Sequence, residues 1–162
     1  MSDLLVIQVE LPEVDSDTED ILTKASTEAS PFDSQLYLFE TAGTLISALY
    51  PNPDQQAALL TVITTPLMRE MSEALGTRMN GPQDVMPVLK VHHIVMAMGS
   101  IVKGFPEIPS PMPPEWVAPP VNLFRETAEA ILVALGEMNR FKLVRDAVGI
   151  FSDYHLSSTL CS

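Results

Sequence analysis

Between Pro87 and Pro106 the apolar residues Val88, Val91, Ile94, Val95, Met98, Ile101, Val102 and Phe105 recur at helical spacing. Leu89, Met96 and Ala97 widen that stripe until the segment is apolar around most of its circumference. A helix of this kind must be covered on several sides. Either the rest of the chain covers it or it belongs in a longer stack. The flanking residues look too few to cover both of its sides, which favours the stack. Asp84 is placed to cap the helix, and Pro87 falls in its first turn, where a missing N–H costs little. Gly104 closes it ahead of Pro106.

The same spacing predicts five more helices. One starts at Asp17 or Thr18, runs through Ile21, Leu22 and Ala25, and ends at Ser30-Pro31. A second, over about 34–50, is capped by Asp33 or Ser34 and carries Leu36, Leu38, Phe39, Ala42, Leu45, Ile46 and Leu49 on one apolar face. Tyr50-Pro51-Asn52-Pro53 stops it. Asp54 caps a third that reaches Met79, with a kink expected at Pro66. Two more follow, over about 121–138 and 140–152, the first with Val121, Phe124, Ala128, Ile131, Leu132 and Leu135 on its apolar face and the second with Leu143, Val144, Ala147, Val148 and Phe151. Residues 4–11 suit a short strand or a frayed apolar turn. The predicted organisation is an acidic, flexible segment over 1–18, a helical segment over 19–152 with a Pro-rich loop at 105–120, and an irregular tail over 153–162. Several helices are apolar on two sides, which fits a layered stack better than a four-helix bundle. The expected fold is all-α, a HEAT-like helical-repeat solenoid segment without a strict sequence period.

Composition sharpens this picture. The 162 residues include only 6% aromatics and 7 glycines but 9 methionines, a balance that suits helices. Seven of the 14 prolines fall between Pro106 and Pro120, so that stretch is extended or irregular, and Trp116 is placed to pin it. Net charge is −12. Residues 1–33 hold nine acids against Lys24 alone, and such a block is expected to be solvated. The lone Cys161 supports no disulfide framework and fits a reducing compartment. Met1-Ser2-Asp3 does not read as a signal peptide, and charged or histidine residues interrupt the most apolar run, so no membrane insertion is expected.

Candidate chemistry is sparse. Neighbours on a helix diverge by about 100°, so His92 and His93 are not placed to chelate one metal, and a packing or hydrogen-bonding role is expected for them. Gly99 and Gly104 lack the Lys-Ser/Thr ending of a phosphate loop, and Gly99 is placed for close helix contact. Pairs such as Glu70/Glu73 and Glu126/Glu129 sit on helix surfaces with no apolar pocket to make them an acid and a base. No enzyme activity, metal or cofactor is expected. Arg140, Lys142 and Arg145 form the densest basic group and are the candidates for RNA phosphate contact, although they spread around their helix. A chain this acidic should not hold RNA strongly by itself.

Three segments carry a resemblance. Asp20-Ile-Leu-Thr-Lys-Ala-Ser-Thr-Glu-Ala-Ser-Pro-Phe-Asp-Ser-Gln-Leu-Tyr-Leu-Phe-Glu-Thr-Ala-Gly-Thr-Leu-Ile46 resembles the central region of exportin-T, the tRNA exportin family within the importin-β (karyopherin) superfamily. Val88-Leu-Lys-Val-His-His-Ile-Val-Met-Ala-Met-Gly-Ser-Ile-Val-Lys-Gly-Phe-Pro106 is similar to it as well, as is Glu129-Ala-Ile-Leu-Val-Ala-Leu135 with Val144-Arg-Asp-Ala147. They follow the family's order across most of 19–152. The resemblance implies a HEAT-type solenoid that binds tRNA together with the GTP form of the small GTPase Ran, passes nuclear pore proteins, and shuttles between nucleus and cytoplasm. Family members are several times longer, so the chain reads as a central-region fragment. The helix pattern also allows a free-standing adaptor that binds protein and not RNA, or a truncated, non-functional product.

Overall fold

The computed structural model describes Val6, Ile7, Val9 and residues 31–77, 85–106, 121–138 and 142–159. These contain five helices: α1 (Pro31–Ser47), α2 (Pro53–Gly76), α3 (Val85–Lys103), α4 (Val121–Met138) and α5 (Lys142–Thr159). No strand is present among the described residues. The helix expected over Asp17–Ser30, the pin at Trp116 and the Asp84 cap lie outside them.

The helix starts differ from expectation, and proline explains why. The helix expected from about residue 34, with Asp33 or Ser34 as its cap, starts at Pro31. Asn52, and not Asp54, caps α2: its side-chain oxygen accepts from the Gln55 N–H at 3.3 Å, and Pro53 takes the next position. Proline is preorganised for a first helical turn, where its lost donor was unpaired anyway. Pro66 lies inside α2, which continues to Gly76 on either side of it. Pro66 and Val62, whose carbonyl loses its partner, are both exposed, so water can satisfy that oxygen. Residues 153–159 were expected to be irregular, yet α5 continues through them to Thr159. No proline or glycine follows Gly149 to stop it.

α3 is the hub. It packs against α1 and α5 most extensively, and also against α2 and α4. α2 packs on α4, and α1 on α2 and α4 on α5 are neighbours. The alternation gives two layers, with α1, α3 and α5 in one and α2 and α4 in the other, the arrangement of a HEAT-like repeat stack. The expectation that this chain has too few neighbours for α3 is therefore overturned. Val88, Leu89, Val91, Ile94, Val95 and Ala97 are wholly buried. α3 is also the one described helix long and apolar enough to cross a membrane, and 67% of its most apolar window is buried inside the fold.

The expected apolar face of α1 splits in two. Phe32, Gln35, Phe39, Gly43 and Ile46 form the buried stripe. Leu38 and Leu45 lie on a flank that stays exposed. Close approach to α3 comes through glycine: a Cβ on Gly43 would strike the Ile101 carbonyl, and one on Gly104 the Glu40 carbonyl. Gln56 of α2, itself buried, donates to the Ile46 carbonyl at 3.1 Å and satisfies the open C-terminus of α1. Phe105 and Phe124 meet edge to face, with centroids 5.0 Å apart, and so join the end of α3 to the start of α4. Ile7, from the segment expected to be flexible, is buried in the core, and Gln35 donates to the Val6 carbonyl at 2.8 Å.

Candidate functional site

Toward its C-terminal end α3 leaves an open strip, Met96, Ser100 and Lys103, spaced four and three residues apart. α1 and α5 rise on either side of it, and the strip becomes the floor of a groove of about 320 Å³. Tyr37 of α1 and Ile150 of α5 stand on its two walls, 72% and 40% exposed. Its polar groups are Asp33 and Glu40 from α1 with Ser100 and Lys103 from α3. Lys103 Nζ lies 2.9 Å from Glu40 Oε2, an ion pair across the α1–α3 seam. Both side chains are partly exposed, so the pair fixes position more than it adds stability. The far layer has a smaller depression of about 210 Å³ between α2 and α4, lined by Thr61, Thr64, Thr65, Met68, Glu126 and Thr127.

The histidines sit where α1 and α5 both meet α3. His93 is buried and stacks on Phe32 of α1, with centroids 3.8 Å apart and planes 22° from parallel. Its Nδ1 lies 3.1 Å from His92 Nδ1. The helical spacing of the two residues implied that they diverge, but their side-chain torsions bring the rings together at the edge. Burial lowers both pKa values to about 4. Asp146 of α5 pulls against this at His92. At His93 the neighbouring imidazole adds to the lowering, while Asp33 and a hydrogen bond with the Leu89 backbone oppose it. Both rings are neutral at pH 7. Among the described residues no group of three or more His, Cys, Asp or Glu could hold a metal ion.

Of the basic candidates, the structure describes the surroundings of Arg145 only. Arg145 is exposed on α5 and engaged in a further interaction. Lys142 is the first residue of α5, and Arg140 lies outside the described residues. Glu70 pairs with Lys90 at 3.1 Å and Glu73 with Arg69 at 3.8 Å, so these carboxylates are structural or solvated. The groove itself was missed in the sequence, because Glu40 and Lys103 are 63 residues apart and carry no local signature.

Two layers of helices around one shared helix, with an open groove on one face, define a helical-repeat fold. The chain belongs to the Exportin-T family, whose model matches residues 1–153. It is 49% identical over 147 residues to Exportin-T of Laccaria bicolor, covering 91% of this chain and 14% of that protein. It is 45% identical over 150 residues to Exportin-T of Mycosarcoma maydis, covering 91% and 13%. Exportin-T of Aspergillus fumigatus is 35% identical over 151 residues, with 91% and 14% covered. The chain thus spans about one seventh of the length of these curated relatives. No solved structure matches it. The family resemblance read from the three segments is borne out.

Proposed function

We propose that the chain forms part of the helical wall of a nuclear export receptor. That receptor binds tRNA cooperatively with Ran-GTP and carries it past nuclear pore proteins from nucleus to cytoplasm, by binding and not by catalysis. The supporting observation is the Exportin-T match across 1–153 on a chain that folds as a two-layer helical stack. In such a stack small rotations between helix pairs add up, so two ligands that favour one curvature strengthen each other's binding.

Arg145, with Lys142 and Arg140 close by in sequence, is the proposed place for phosphate contact. The test is a tRNA mobility-shift titration of the full-length receptor carrying this segment, with and without Ran-GTP. Arg145→Glu should weaken tRNA binding severalfold both with and without Ran-GTP, because a lost phosphate contact does not by itself change the coupling between the two ligands. Unchanged tRNA affinity removes Arg145 from the contact surface. Tight tRNA binding by the 162-residue chain alone would contradict a role limited to part of the wall, given its net charge of −12.

A further inference from the structure

Val6, Ile7 and Val9 belong to no helix. Their exposure alternates: Val6 is 50% exposed, Ile7 only 6%, and Val9 is half-buried. A period of two is what an extended segment shows when one of its faces lies on a surface. Ile7 and Val9 join the apolar cluster that also holds Phe32 and Phe39 of α1. The main chain is held as well. Gln35 of α1 is 7% exposed, and its Nε2 donates to the Val6 carbonyl at 2.8 Å. The fold thus meets this segment with a buried amide for its backbone and an apolar seat for alternate side chains. Those are the two parts of an extended-peptide site, in which main-chain hydrogen bonds hold the segment and side-chain pockets select it.

The seat is made by the helices and does not need the segment to build it. Phe32, Gln35 and Phe39 recur at three- and four-residue spacing along the buried stripe of α1, and Phe32 is fixed by its stack on His93 of α3. One buried isoleucine and one side-chain hydrogen bond are a small contact beside the α1–α3 and α3–α5 seams, so opening it costs far less than unfolding the chain. We infer that residues 6–9 are a removable strap, an intramolecular ligand on an extended-peptide site of α1 and α3, with Ile7 as its anchor and Gln35 as its clamp. Tethering makes the strap's own binding intramolecular, so it outcompetes a free peptide of the same sequence unless its anchor is spoiled. Lifting the strap bares the apolar seat, which gives this end of the stack a closed and an open state. This device involves no tRNA and is independent of the export role.

The test is fluorescence anisotropy with a labelled peptide of the sequence Asp3–Pro12, added to the 162-residue chain in wild-type, Ile7→Asp and Ile7→Asp/Gln35→Ala forms. Spoiling the anchor should free the seat, so the Ile7→Asp chain should bind the peptide at least tenfold tighter than the wild type. Adding Gln35→Ala removes the clamp and should weaken that binding about three- to tenfold. A peptide that itself carries Ile7→Asp should bind none of the three. Circular dichroism checks that each chain keeps its helices, and Ile7→Ser is the milder replacement if Ile7→Asp does not. Equal binding by wild type and folded Ile7→Asp, or no binding by either, overturns the strap. Undiminished binding after Gln35→Ala places the peptide elsewhere and overturns the site. Loss of helix in both Ile7 variants shows that Ile7 is integral to the core, and overturns removability.

Discussion

The Nδ1 atoms of His92 and His93 lie 3.1 Å apart, close enough to share one proton and too close to hold two. Protonating both rings would turn donor against donor on α3, where it meets α1 and α5. It would also charge His93 on its stack against Phe32. Both pKa values fall from 6.5 to about 4 in the folded chain. Between those values the unfolded chain binds more protons than the folded one, so stability rises with pH there. The contribution of the neutral pair is complete above about 6.5 and is lost as pH falls through about 4. Thermal unfolding should therefore show Tm dropping from pH 7 to pH 5 in the wild type. In the His92→Gln/His93→Gln double variant the drop should be distinctly smaller. Carboxylates titrate in both proteins, so the difference between the two curves isolates the histidines. Parallel curves would show that the pair does not titrate in this way. Spacing alone said that adjacent helical residues diverge; it could not show a contact made by χ1 and χ2.

At the scale of the helices, what the sequence displays and what it hides separate cleanly. The burial of α3 is plain from its composition, because eight apolar positions recur at the helical period. Its close contact with α1 is not, because the deciding residue is Gly43 of α1, and nothing local distinguishes it from any other glycine. Gly99, the glycine expected to allow close approach, is buried in α3; Gly43 sits against Ile101 and Gly104 against Glu40 and Thr44. The groove is hidden for the same reason, since its walls come from helices far apart in sequence. Gly149 of α5, by contrast, has open space where a Cβ would go. Two alanine substitutions thus have opposite signs. Gly149→Ala should stabilise by about 0.5–1 kcal/mol through helix propensity. Gly43→Ala gains the same propensity but drives a methyl group into backbone, and overpacking costs about 1–3 kcal/mol, so it should destabilise on balance. Urea unfolding midpoints check both, and a stabilising Gly43→Ala would mean that α1 and α3 are not packed as closely as described here.

For the whole molecule, net charge and exposed apolar flanks together set the response to salt. The groove flank of α1 carries Asp33, Tyr37 and Glu40, while the other flank carries Leu38 and Leu45, 42% and 66% exposed. α2 leaves Leu59 and Val62 open, and α4 leaves Leu132 and Val133 open at 62% and 60%. Exposed apolar groups distributed over outer helices are what a stack presents where further helix pairs would lie, and this chain covers only 14% of its Laccaria bicolor relative. The chain by itself should therefore self-associate through these flanks, opposed at low ionic strength by a net charge of −12. Sedimentation velocity should show a weight-average mass that grows with protein concentration and grows further between 50 and 300 mM salt, as screening removes the repulsion. Leu45→Glu together with Leu132→Glu should suppress the association and leave the core intact, because both side chains are exposed. A chain that stays monomeric at every concentration and salt would instead behave as a self-sufficient helical module, with flanks that need no further helices to cover them.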